Sequence, residues 1–276
     1  MIDCHYRRIG ADGEFQVFES TMGTASNWNA EIQHGSPPLA LLTKAIEELA
    51  AESGGQERSD SGKPSGLRIG RVVLDILGAI PVAPVKVRAW VIRPGARISL
   101  MAAEMSAAGS AGADRVVARA TAWLLAPSDT ADVTTDRYPP LVEGEPVPNT
   151  HGWQGAPGYL ETITWRTQRT AAGESAVAWM SPLVHLVDAE ALTDLQRLLM
   201  VVDTANGVGA MLNSDDFVFM NTDTAVHLHR APSGNDFAIR ARGSIGPDGI
   251  GVTTAELFDR RGFIGTSAQT LLVQRQ

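Results

Sequence analysis

Much of what usually announces a function is missing from this chain of 276 residues. There is one cysteine, Cys4, which excludes an intramolecular disulfide framework. No apolar run approaches the ~18 residues that a membrane span needs. The N-terminal stretch MIDCHYRRIGADGEF lacks the apolar core of a secretory signal, so a cytoplasmic protein without a membrane span is expected. Basic residues are in deficit: 23 Lys and Arg against 31 Asp and Glu give a formal net charge of −8. That balance argues against a nucleic-acid partner, because phosphate binding depends on concentrated Lys and Arg. A small anionic ligand needs only a local basic patch and stays open. There is no G-x-S-x-G elbow, which argues against a serine-hydrolase mechanism. The segment TANGVGA, residues 204–210, lacks the strand–turn–helix context of a dinucleotide site, and no cofactor is expected. His227 and His229 alternate with Val226 and Leu228 and so share a strand face, but no Cys, Asp or Glu set completes a recognisable metal site.

What is present centres on one polar residue in apolar company. Residues 193–212 read TDLQRLLMVVDTANGVGAML, a helical pattern with Asp203 in its middle. Leu195, Leu198, Leu199 and Val202 recur at helical spacing, and so little polar face implies burial. A carboxylate held among apolar side chains must find hydrogen-bond donors or raise its pKa.

The rest of the chain reads as two similar units. Short strands near Cys4–Ile9 and Glu14–Glu19 lead through a loop to an amphipathic helix over 39–51, with Pro37 and Pro38 suited to its first turn. A polar Gly/Ser-rich loop, residues 53–66, follows. The period then changes from helical to two-residue, and Gly70–Gly78, Val85–Ile92, Arg97–Ala107 and Arg115–Leu125 form a four-strand antiparallel meander. Residues 127–158 are rich in Pro, Gly and acidic residues, as a linker is. Thereafter the order repeats: strands Glu161–Gln168 and Ala176–Pro182, the Asp203 helix, and four more strand-like runs between Val218 and Val273. The closing strands RVVARATAWLL (115–125) and GFIGTSAQTLL (262–272) align without a gap. In that alignment Gln269 falls opposite Ala122, and the helix over 39–51 has no acid where Asp203 stands, so both polar exceptions belong to the second unit.

A long helix wrapped by an antiparallel sheet, present twice, resembles a double hotdog, an α+β fold in which one continuous sheet surrounds two long helices. The units are residues 1–126 and 159–276, joined by 127–158. The segments MVVDTANGVG, NTDTAVHLHRAP (221–232) and GTSAQTLL, with LGAIPVAPVKVRAWVIRPGARISLMAAEM in the first half, resemble the acyl-CoA thioesterase II branch of the thioesterase superfamily. That resemblance implies hydrolysis of an acyl-CoA by a water that an Asp, a Ser or Thr, and a Gln orient and activate. The Asp falls on Asp203 and the Gln on Gln269. Register puts the hydroxyl residue at Asn221, whereas its chemistry favours Thr222. Successive strand residues face opposite ways, so the two cannot share the site. His34 and Gly35, just before the first helix, occupy the region from which backbone N–H groups at a helix N-terminus would hold an oxyanion and bind substrate.

Two other readings fit parts of the pattern. Hotdog hydratases and dehydratases resemble this layout, with His34 and Asp203 as their His–Asp pair. A non-catalytic acyl-CoA-binding protein would account for an Asn where a hydroxyl belongs. Association of copies into a homo-oligomer through sheet edges is compatible with every reading.

Overall fold

The computed structural model describes residues 2–53, 66–109, 112–147, 157–168, 170–171 and 174–276. The polar loop expected at 53–66 and the later part of the 127–158 linker fall largely outside the described residues. The first half gives β1 (Cys4–Asp12), β2 (Phe15–Ser20), α1 (Ser36–Ser53), β3 (Arg68–Ile76), β4 (Pro84–Arg93), β5 (Ile98–Ala108) and β6 (Asp114–Leu125). The second gives β7 (Arg166–Thr167), β8 (Ala176–Met180), β9 (His185–Val187), α2 (Asp194–Val202), α3 (Ala205–Val208), β10 (Phe217–Asn221), β11 (Asp223–Leu228), β12 (Phe237–Ile245), β13 (Ile250–Asp259) and β14 (Gly262–Arg275).

The strands form one 14-stranded sheet in the order β7-β8-β12-β13-β14-β11-β3-β6-β5-β4-β2-β1-β9, with β10 also on β14. The two halves join where β11 pairs antiparallel with β3, from Asp223 opposite Asp75 to His227 opposite Arg71. At the far edge β9 pairs in parallel with β1, Cys4 opposite His185. Its three residues follow Leu183 and Val184 in an apolar stretch too short to carry a period.

One face of the sheet is buried under the helices. Leu39, Leu42 and Ile46 of α1 and Leu198 to Val202 of α2 share a core with Val72, Leu74, Ala120, Ile239 and Leu257 of the sheet. Each fully buried Leu, Ile or Val contributes roughly 1.5–3 kcal/mol. Thr193 starts α2 with a reciprocal capping box: its hydroxyl accepts the Gln196 N–H, and the Gln196 side chain accepts the Thr193 N–H. The two helices also meet through polar groups, as Gln196 Nε2 donates to Glu47 Oε2 of α1 at 2.6 Å.

The second helix is shorter than its hydrophobic pattern suggests. The α-helical ladder stops at Val202, and Asp203 caps it rather than sitting mid-helix. Asp203 and Thr204 have ψ of −9° and −3°, away from the α-helical −42° or so. The Gly207 N–H then bonds Thr204 O, three residues back (2.9 Å), and α3 ends where Gly209 O accepts the Gly243 N–H of β12 at 2.9 Å. This tightening releases the Asp203 carbonyl from the helical ladder.

Candidate active site

Four segments converge on the Asp203 carboxylate, which is 2% exposed. Asn221, the last residue of β10, donates from Nδ2 to Oδ1 at 2.8 Å. Gln269 of β14 donates from Nε2 to Oδ1 at 3.0 Å and also to the Asp203 carbonyl at 3.0 Å, the group freed by the helix break. The third donor to Oδ1 is the Thr224 hydroxyl of β11. Asn221 and Gln269 each donate in turn to Thr224 Oγ1, both at 3.1 Å, which closes a ring of polar contacts.

Thr224 is therefore the hydroxyl at this centre, and Thr222 is not. Thr222 is exposed; its hydroxyl lies within reach of Asp223 Oδ1 (3.2 Å) and Thr270 O (3.4 Å) instead of Asp203. A one-residue slip in the ladder is the reason. Asn221 pairs with Leu271 and Ala225 with Ala268, so four steps on one strand oppose three on β14. Such a bulge inverts the alternation across Thr222 and turns Asn221 and Thr224 to the same side. Strict two-residue alternation from Asn221 hides Thr224, and nothing in the NTDT segment marks the extra residue.

All three donors lie on Oδ1. Oδ2 accepts no hydrogen bond from the described residues and is bordered by the first half of the chain. His34 Nδ1 is 3.6 Å away, and Gly35 packs so closely that a Cβ there would overlap the carboxylate. The glycine is needed for that approach, not for a special φ. His34 is not an ion-pair partner: its Nδ1 accepts the Ser36 N–H at 3.1 Å, so a neutral ring carries its proton on Nε2. Burial, aided by the neighbouring His5, brings the His34 pKa down to about 3. Burial pushes Asp203 up to about 6; the bonds from Thr224, Asn221 and Gln269 act against that rise, and the negative charge of Asp223 adds to it.

Tyr159, in the short 3-10 helix Tyr159–Thr162, ties these parts together. Its ring stacks on His34 at 3.9 Å between centroids, and its hydroxyl donates to Met200 O at 2.6 Å and lies 3.1 Å from Ser36 Oγ. It thereby links the start of α1 to the end of α2. Sequence reasoning passed over it, because no motif surrounds it.

A cavity opens from the carboxylate. Its apolar walls include Trp28, Ile32, Ile76, Ile80, Leu160 and Trp165, and its polar lining includes His34, Gly35, Asp203, Asn206 and Asn221. Two arginines that could serve an anionic ligand, Arg230 and Arg240, are already engaged. Arg230 holds Asp259 through both carboxylate oxygens (2.6 and 2.7 Å), and Arg240 holds Glu256 at 3.2 Å. His227 is exposed, and the His229 ring bonds the Phe263 carbonyl at 2.9 Å, so the two do not converge. Among the described residues no helix is long and apolar enough to cross a membrane.

Comparison with known proteins agrees with this layout. Residues 24–125 match the family model for the acyl-CoA thioesterase N-terminal domain, and residues 141–273 match that for the C-terminal domain. No curated protein sequence matches. Among solved structures, a hot dog fold protein of unknown function from Alicyclobacillus acidocaldarius superposes with a TM-score of 0.68 at 16% identity, over 96% of this chain and 94% of that one. The acyl-CoA thioesterase II TesB2 of Mycobacterium marinum gives 0.64 at 10% identity, over 98% and 96%. At such identities the structural likeness establishes the fold.

Proposed function

Because this chain belongs to the acyl-CoA thioesterase family and is a thioester hydrolase with the double hotdog fold, we propose that it cleaves an acyl-CoA thioester by direct attack of a water that Asp203 activates. The observation that carries this reading is the asymmetry of the carboxylate. Oδ1 is saturated by three donors, which fix its orientation, while Oδ2 has none and lies against His34 and Gly35, which line the cavity with Asp203. A water on Oδ2 gives up a proton there as its oxygen bonds to the thioester carbonyl carbon. Collapse of the tetrahedral adduct breaks the carbon–sulfur bond, and the proton passes to the departing CoA thiolate. A pKa of about 6 suits this task, since the group is ionised at neutral pH yet basic enough to accept the proton.

The adduct's oxyanion needs donors that are already in place. We assign that role to the N–H of Gly35, which immediately precedes the 18-residue α1 and packs against the carboxylate, with the helix dipole favouring negative charge. We read residues 1–126 and 159–276 as the two units, so the site is composite: His34 and Gly35 come from one, and Asp203, Asn221, Thr224 and Gln269 from the other. The apolar cavity walls take the acyl group.

Release of free thiol from a panel of acyl-CoAs tests the proposal. Asp203→Asn should lower kcat by ~10²–10⁴-fold with little change in KM. Wild-type turnover in that variant would overturn the mechanism. A hydratase–dehydratase has the nearness of His34 to Asp203 in its favour. It leaves Gln269, Asn221 and Thr224 without a part in the chemistry, and hydration of an enoyl-CoA without thiol release would be its signature.

A further inference from the structure

We propose that Thr253 and Ser267 are positioning residues that hold the Gln269 amide on Asp203 through a buried water lying on the opposite side of that amide. The inference rests on the hydrolytic reading above for its effect on rate, but not for the water itself.

Gln269 is a polar side chain divided between two surroundings. Its Nε2 is served three times over, by the Asp203 carbonyl, Asp203 Oδ1 and Thr224 Oγ1. Those acceptors dictate which end of the amide faces the carboxylate, because Oε1 in the same place would meet oxygen atoms alone. Oε1 must therefore point elsewhere, and there it is buried and accepts nothing from the described residues. The Thr253 and Ser267 hydroxyls are buried and unpartnered in the same way.

These three groups are neighbours on one patch of sheet. Thr253 of β13 pairs directly with Gln269 of β14, which places their Cβ atoms about 4.5–5.5 Å apart. Ser267 precedes Gln269 by two residues, so it projects from the same face. The three residues are 1%, 4% and 1% exposed, for Thr253, Ser267 and Gln269 in turn. The next residue along the row is Gly243, opposite Thr253 on β12. It has no side chain to fill the space, and a Cβ there would stand 3.5 Å from Thr253 Oγ1 and 2.8 Å from Gly209 O. Backbone therefore bounds the patch where α3 ends, and three unpartnered polar atoms belong to residues of this one face. A small buried site with two to four polar partners is what holds an internal water. One water can donate to Gln269 Oε1 while accepting from both Thr253 Oγ1 and Ser267 Oγ, which satisfies all three groups.

The consequence for catalysis is mechanical. Without a donor for Oε1, Gln269 gains by rotating toward one, and rotation withdraws Nε2 from both Asp203 oxygens. Thr253 touches neither the carboxylate nor the cavity, so any effect it has on turnover must pass through Gln269.

A high-resolution crystal structure of the wild-type protein tests the water. An ordered water within about 3.2 Å of Gln269 Oε1 and of Thr253 Oγ1 or Ser267 Oγ is expected. A direct Thr253–Gln269 hydrogen bond, or a dry patch, would overturn the proposal. Kinetics test the role: Thr253→Val, nearly the same shape, should lower kcat about tenfold with KM unchanged, and Thr253→Ser should restore it. Equal loss in both variants, or wild-type kcat in the Val variant, would defeat the positioning role. If the Val variant fails to fold, the crystallographic outcome still decides. If the wild-type protein releases no thiol at all, the hydrolytic reading fails while the water is judged separately.

Discussion

At the scale of single residues, Asp203 has a protonation balance opposite to that of an ordinary paired carboxylate. Its folded pKa, about 6, lies above the usual 3.8, because burial outweighs three donated hydrogen bonds. The folded state therefore favours the protonated form. Stability from this group is full below pH 3.8, declines as pH rises, and is gone above about 6, a difference of about 3 kcal/mol. Activity runs the other way, since the base must be ionised: kcat/KM should fall as pH drops through about 6. Asp203→Asn, with its kcat lowered as above, should then be more stable than wild type at pH 7.5, as thermal unfolding will show. The neighbouring hydroxyls separate cleanly. Thr224→Val should cost about tenfold in kcat, whereas Thr222→Val should leave turnover near wild type. The reverse order would place the bulge in the wrong register.

At the scale of elements, two local irregularities build the site. The tightened junction after α2 frees the Asp203 carbonyl for Gln269, and the slip at Thr222 turns Thr224 inward beside Asn221. The start of α1 is the third contributor, and it leaves no room for a side chain. Gly35→Ala should therefore abolish turnover while the protein still folds, because the overlap falls on the carboxylate oxygens. The cap of α2 is a contrasting case. Thr193→Ala removes one side of the capping box and the Thr193 contacts to Glu47 (3.3 Å), far along the helix from Asp203. It should lower stability by roughly 1 kcal/mol and leave KM and kcat unchanged. A kinetic defect there would mean that α2 moves as one body with the site.

At the scale of the whole molecule, the interior holds two neutral histidines and two carboxylates raised by burial, Asp203 and Glu47. Burial takes both His5 and His34 down to about 3. Below pH 6.5 the unfolded chain binds two protons there that the folded chain refuses, and between about 3.8 and 6 the folded chain binds one on Asp203 that the unfolded chain does not. For the two histidines and Asp203 the net is about one proton, a loss of about 1.4 kcal/mol for each unit that pH falls in that window, and the raised Glu47 lessens it. Glu190, held at about 2 by Arg8 and then Lys44, adds to the loss below pH 4.5. Chemical denaturation at several pH values measures the slope, and replacing His5 should flatten it.

The sequence alone determined those features that repeat along the chain. Two-residue alternation placed the meanders, helical spacing placed α1 and the first part of α2, and the contrast between the halves singled out Asp203 and Gln269. These are periodic signals, summed over many residues, and hydrophobic burial enforces them. Tertiary structure decided what breaks the period. It set where α2 ends, because Gly209 must meet β12. It put Thr224 rather than Thr222 beside Asp203, because a ladder against β14 and β3 fixes the bulge. It brought His34, Gly35 and Tyr159 to a carboxylate far away in the chain, because the two helices pack against each other. A one-residue slip leaves no composition or spacing to read, and it is visible only once the partner strand is in place.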